Sequence, residues 1–276
     1  MRSNNPVIGT LERSASAQYA QNQFGHNQFG VGERPFTLPT SPQQPAGERA
    51  LTVDDIIAKT GITLAVIVVA AVANFALAVT GNPGATMGLT ALGAIGGLIA
   101  VIVSSVSARG GGSAAVTLIY AVFEGLFVGG FSFLMTGFTA ANTDIGLLIA
   151  QSVVGTFGVF AGMLYVYKSG AVKVTGKFRR VVTGAIFGVL AMVIINLIAS
   201  FFGLNLLRDG GILSIVFSLV VIVIAAFTFL LDFDEADRLV RAGVPARYAW
   251  GIALGLAVTV VWLYTEILRF LSYFRD

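Results

Sequence analysis

The 276-residue chain contains no cysteine and a single histidine, His26. Without cysteine there is no disulfide framework and no thiolate metal site. His26 lies in a polar N-terminal stretch, so histidine chemistry is excluded from the rest of the chain. Charge is also scarce. Only 11% of residues are Asp, Glu, Lys or Arg, where a soluble domain carries about 25%. There is no Walker A loop, no His-Glu-x-x-His motif and no serine–histidine pair. The paired Tyr-Asp and Gly-x-Gly-Asp motifs of intramembrane aspartyl proteolysis are missing as well. No nucleophile stands beside a base, so the expectation is a protein that is not an enzyme and needs no cofactor. Residues 1–50 lack the short apolar core of a secretory signal.

What fills the chain instead is apolar. Hydrophobic residues make up 56% of it, and the mean hydropathy is +0.85. The apolar stretches are long, do not alternate strictly, and exceed the length of a barrel strand, so they read as membrane helices. Seven are expected: Thr60–Val79, Ala85–Ser107, Ala114–Thr136, Ile145–Tyr167, Val181–Phe202, Ile212–Leu231 and Tyr248–Tyr273. The fold class is therefore an all-α integral membrane protein, a seven-transmembrane helix bundle over residues 51–276. Thr52 is placed to cap the helix leading into the first span, with Asp54 and Asp55 in its first turn. Residues 1–50 are rich in Asn, Gln, Ser, Gly and Pro, and Asn22-Gln23-Phe24-Gly25 recurs as Asn27-Gln28-Phe29-Gly30. They read as a disordered polar tail.

The net charge of +3 does not imply nucleic acid, because the basic residues sit in short loops where they act as topology signals. With the N-terminus in the cytoplasm, the inner segments hold Arg49 and Lys59, then Arg109. After these come Lys168, Lys173, Lys177, Arg179 and Arg180, and finally Arg238, Arg241 and Arg247. The outer loops hold only Arg208. A multi-pass protein of the cell's inner membrane is expected, with the lipid bilayer as its first partner.

A charged group inside a span is a functional candidate by default. Glu124 lies near the middle of the third span and reads as an ion or proton ligand, or as a structural carboxyl between helices. Glu266 lies in the seventh, with Arg269 three residues on, on one helical face. Asp232 closes the sixth span, followed by Asp234, Glu235 and Asp237 at what reads as a solvated helix end. Oxygen ligands of this kind suit hard cations, calcium above transition metals. A carboxyl loses its charge more readily out of water, and two that share a proton titrate as a pair. Asn74 and Asn196 are expected to bridge helices. The small-residue groups Gly93, Gly96 and Gly97, Gly125, Gly129 and Gly130, and Gly155 and Gly158 are expected to permit close helix packing.

Three stretches carry a resemblance to a known family. They are Tyr120-Ala-Val-Phe-Glu124-Gly-Leu-Phe, Leu231-Asp232-Phe233-Asp234 and Trp262-Leu-Tyr-Thr-Glu266-Ile-Leu-Arg269-Phe-Leu. With the seven-span layout, they resemble the Bax inhibitor-1 (TMBIM, YccA-like) family in a bacterial branch. The likeness covers about Asp55 to the C-terminus and leaves the tail outside. It implies six helices around a central seventh, and a pH-sensitive leak of calcium or other cations gated by two paired acids. By position those acids are Asp232 and Glu266, with Arg109 at the end of the second helix engaging one of them. Asp234 and Glu124 are further candidates for holding an ion or a proton. Two departures matter. The seventh-helix acid is Glu where the family's Leu-Tyr-Leu-Asp has Asp, and the loop between the acids is longer. A straight hairpin reversing near Gly243-Val244-Pro245 leaves the two acids roughly 13 Å apart in depth. A bent hairpin, a segment lying flat between Glu235 and Arg247, or a latch of different construction would each account for this. Three functions are open: a calcium-permeable leak, a regulator that binds other membrane proteins, and a proton-coupled cation exchanger, for which Glu124 is the main evidence.

Overall fold

A computed structural model describes residues 49–106, 112–136, 144–202 and 211–274. Arg109, the acid-engaging arginine of the family pattern, and the expected tail lie outside the described residues. So does Arg208.

Seven helices among the described residues are long and apolar enough to cross a membrane. They are α1 Val53–Val79, α2 Pro83–Val106, α3 Ala114–Thr136, α4 Asp144–Lys168, α5 Gly176–Phe201, α6 Ile212–Arg241 and α7 Ala249–Ser272. A short 3-10 turn, Ala246–Tyr248, leads into α7. The chain is a multi-pass α-helical membrane protein.

The helix bounds differ from the apolar runs where polar groups extend a helix. α1 starts seven residues before Thr60 because Thr52 and Asp55 form a capping box. Asp55 accepts from the Thr52 N–H at 3.2 Å and is also held by Arg49. Pro83 opens α2, where its missing N–H costs nothing. α6 was expected to stop at Leu231 but continues to Arg241. Its added turns carry two i,i+4 ion pairs, Asp234 with Arg238 at 2.9 Å and Asp237 with Arg241 at 2.6 Å. Asp232 is therefore inside a helix, and residues 235–241 continue that helix without a break. Gly243, at φ 64°, then reverses the chain in the left-handed region that only glycine adopts cheaply.

The reversal is pinned. The Leu51 N–H donates to Val244 O at 2.8 Å, the Ala246 N–H donates to Arg49 O at 3.0 Å, and Lys59 Nζ donates to Ala246 O at 2.8 Å. The segment leading into α1 thereby holds the turn between α6 and α7.

α7 packs against α1, α3, α4 and α6, and it is the most buried of the seven helices. It is the central helix. α5 is the least buried and packs mainly on α6. The outer faces are apolar and exposed, as in Val69, Ile95, Val154 and Ile195. Such faces are stable only against hydrocarbon.

Close packing concentrates where α3 meets α1 and α2. A Cβ on Gly93 would lie 2.5 Å from Phe123 O, and one on Gly125 would lie 2.5 Å from Ile67 O. A Cβ on Gly129 would strike Ala71 O, and one on Gly130 would strike Thr90 Oγ1. These glycines let backbones touch, as small residues do in membranes. Gly155 has only ordinary contacts, and Gly158 faces open space. The packing expectation therefore holds for α2 and α3 and not for α4. Asn74 bridges three helices, donating to Leu126 O at 2.6 Å and to Thr90 Oγ1 at 3.3 Å. Asn196 does not bridge. Its Oδ1 is enclosed but meets no donor among the described residues.

Candidate functional site

The acids predicted to act together stand at two levels of the central helix. Asp232 is half-buried on α6 and faces α7, where Thr259 Oγ1 donates to its Oδ2 at 2.7 Å. Thr259 also reaches back to Gly255 O at 3.3 Å, as helical threonines do. No cation is paired with Asp232 among the described residues; its one hydrogen-bond partner is the neutral hydroxyl.

Glu266 is buried on α7 and paired with Arg269 at 2.5 Å. The Arg269 guanidinium lies over the Phe217 ring of α6, 5.7 Å from its centroid. This ion pair is thus wedged between α6 and α7. Glu266 follows Thr259 by seven residues on the same helix. Seven residues are about two turns, so both point to one side of α7 but sit about 10 Å apart along the axis. The structure does not bring Asp232 and Glu266 together. Register explains this. Seven residues, 242–248, separate α6 from α7, and they set Asp232 opposite Thr259.

Asp234 points elsewhere. It accepts from Arg179 at 3.1 Å and from Arg238 at 2.9 Å, two guanidiniums that balance its charge. Glu235 shares Arg179 at 3.3 Å. Asp237 accepts from the Tyr167 hydroxyl at 3.2 Å besides its pair with Arg241. No group of three or more acidic or histidine side chains placed to hold a metal ion occurs among the described residues.

Glu124 lies midway along α3. Its Oε2 occupies space that a side chain at Gly97 would fill, 2.8 Å from the Cβ position. Gly97 therefore makes room for a carboxyl against the backbone of α2. Tyr120, one turn earlier on the same face, is buried, and its hydroxyl has no partner. No side chain is paired with Glu124 among the described residues. The Tyr264 hydroxyl of α7 shares a hydrogen bond of 2.9 Å with Ser132 of α3.

The bundle thus has a central helix whose Thr259 latches an acid of α6, and a further acid set apart between α2 and α3. A family model described as Bax inhibitor 1 like matches residues 5–276. The chain belongs to the Bax inhibitor 1 like family. The match begins at residue 5, far upstream of Asp55, so the tail is inside the matched region and not outside it as the three motifs suggested. No curated protein matches the chain. In this member of the Bax inhibitor 1 like family the seventh helix is central, as the resemblance implied, while the two acids it assigned as a pair stand apart. The residue that sequence reading missed is Thr259. Its signal was present: a polar residue about two helical turns before Glu266 shares its face.

Proposed function

We propose that this protein is a pH-sensitive leak for calcium or other cations, set in the cell's inner membrane with its N-terminus in the cytoplasm. The observation that carries the reading is the Asp232–Thr259 contact between the sixth helix and the central seventh. Against the central helix, Asp232 is a carboxyl with only a neutral hydroxyl for company, so its charge has no fixed counterpart there; Glu124, equally unpaired among the described residues, lies away from it between α2 and α3. Glu266, by contrast, has Arg269 beside it. The two acids then do different work. Protonated Asp232 holds α6 to α7 and keeps the path closed. Once ionised it accepts from Thr259 more strongly, but one hydroxyl does not replace the hydration of a charge, so water or a cation must enter and the α6–α7 contact loosens to admit it. The Glu266–Arg269 pair stays joined and ties the far part of α7 to α6. Arg109 is proposed, from the family pattern alone, to meet one of these acids.

The sign follows from the group. Calcium flux rises with pH as Asp232 loses its proton, and falls as the proton returns. The test is calcium flux from liposomes holding the purified chain, measured across pH. Thr259→Val removes the latch and should raise flux on the acid side, while Thr259→Ser should restore the wild-type profile. Flux that ignores pH, or that is the same in Thr259→Val and wild type, would overturn the mechanism.

Glu124 favours a second reading, proton-coupled cation exchange, because a leak does not require a further carboxyl lodged between α2 and α3. Calcium moved uphill by an imposed proton gradient, and lost in Glu124→Gln, would select exchange over leak.

A further inference from the structure

α1 and α4 both pack on α7 but scarcely on each other. The gap between them is a groove in two sections. At the end of the bundle that carries the basic loop, a cavity of about 870 Å³ is lined by Thr60, Leu64, Phe160, Lys168, Lys173 and Leu256, among others. Deeper along the helices, a second cavity of about 410 Å³ is lined by Ala71, Phe157 and Val260, and again by Leu64. The sections meet at Leu64. Each is of the size of a ligand pocket. The deep section is almost wholly apolar, and its polar side chains are already satisfied: Ser132 and Tyr264 by each other, and Thr156 by Ser152 O at 2.7 Å. Water has no partners there, so hydrocarbon is its natural filling.

The outer section is different. Lys168, which ends α4, and Lys173, in the loop before α5, stand at its rim, exposed and paired with no acid among the described residues. The one acid at the rim, Asp237, is taken by Arg241 and Tyr167. Inside the section, Thr60 is 8% exposed, and its Oγ1 has no hydrogen-bond partner. A buried hydroxyl left unpaired is uncommon and marks a place where an acceptor belongs.

We infer that this groove is a binding site for an anionic glycerophospholipid of the bilayer. The phosphate sits at Lys168 and Lys173. The Thr60 hydroxyl donates to an acyl ester carbonyl. One acyl chain runs past Leu64 and Val260 into the deep apolar section. The order of groups matches such a lipid from head to tail: cations at the rim, one hydroxyl donor within, hydrocarbon beyond. Basic pockets between membrane helices recognise anionic headgroups in this way, each lysine strengthening the attraction.

The test uses the full chain, purified and stripped of lipid in neutral detergent. Phosphatidylglycerol, phosphatidylcholine with the same chains, and inorganic phosphate are titrated separately, with retained lipid read by native mass spectrometry and the melting temperature followed in parallel. Phosphatidylglycerol should bind and raise the melting temperature, phosphatidylcholine should bind more weakly, and inorganic phosphate should do neither. Lys168→Ala and Lys173→Ala should each weaken phosphatidylglycerol by about fivefold. Thr60→Val should weaken the ester-linked lipid and leave an ether-linked analogue unchanged. Gly61→Leu separates binding from folding. Gly61 lines the groove with nothing within 4 Å of its Cβ position. The added side chain should plug the groove and abolish the lipid response, while the lipid-free melting temperature holds or rises. Equal binding of the two lipids, indifference to the lysine variants, or a full response to inorganic phosphate would each overturn the site.

Discussion

The α1–α3 side of the bundle is joined backbone to backbone, whereas the α4–α6 side is joined ring to ring. On the first side, Gly93, Gly125, Gly129 and Gly130 leave no room for a Cβ, and Asn74 ties three helices. On the second, the Phe160 ring of α4 meets the Phe229 and Phe233 rings of α6 edge-on, at 5.2 and 5.5 Å. Phe178 of α5 meets Phe227 of α6 at 5.8 Å. Backbone contacts have one arrangement. Ring contacts have several of similar energy, since edge-to-face pairs tolerate a range of distances. The titrating candidate, Asp232, is next to Phe233, on the side that can rearrange. In the proposed mechanism the rigid side serves as the fixed wall and the aromatic side as the part that moves.

The contrast can be broken most sharply from the rigid side. Gly129→Val and Gly130→Val should each lower stability by about 3 kcal/mol or more, because the new Cβ meets atoms of another helix at close quarters. Thermal unfolding in detergent checks this, and a melting temperature near wild type would mean that the backbones are not in contact. Asn74→Leu should cost less, about 1–2 kcal/mol, since interhelical hydrogen bonds in membranes are individually modest. On the aromatic side, Phe160→Leu should cost about 1 kcal/mol, as a near-isosteric core change, and should raise calcium flux by loosening α4 from α6. At Gly158 and Gly184, which face open space, Ala should be neutral or stabilising by up to about 1 kcal/mol.

Movement itself can be compared directly, and the absence of cysteine makes the chain a clean host for paired spin labels. Labels at the exposed sites Val69 on α1 and Ile119 on α3 should keep one distance across pH. Labels at Ile119 and at exposed Val154 on α4 should shift or broaden. Equal shifts in both pairs would erase the distinction between the sides.

Much of this was legible in the sequence. The seven apolar runs gave the helices, because a span needs little more than length and hydrophobicity. The choice of the seventh as the central helix followed from Glu266 and Arg269, which suit no lipid-facing position. The glycines of α2 and α3 announced close packing, but identical-looking Gly158 turned out to face open space. Spacing shows that a face is small; it does not show what lies opposite. The Asp232–Thr259 contact was illegible for a related reason. It depends on the register of α6 against α7, which is set by a seven-residue turn and by ion pairs that extend α6 past its apolar run. For a straight hairpin, loop arithmetic put Asp232 and Glu266 roughly 13 Å apart in depth, and it left open whether a bend or a flat segment closed that distance. The groove between α1 and α4 had no sequence signal, because it consists of a contact that is not made.

Two acids on separate levels and two acids sharing a proton differ in one measurable respect. Calcium flux across pH is measured in liposomes for the wild type, Asp232→Asn, Glu266→Gln and the double variant. Asp232→Asn should give low flux that no longer responds to pH, while Glu266→Gln should change the size of the flux and leave its pH response in place. If Glu266→Gln alone abolishes the pH response as completely as Asp232→Asn, with no further change in the double variant, the acids act as one pair and the two-level latch is wrong.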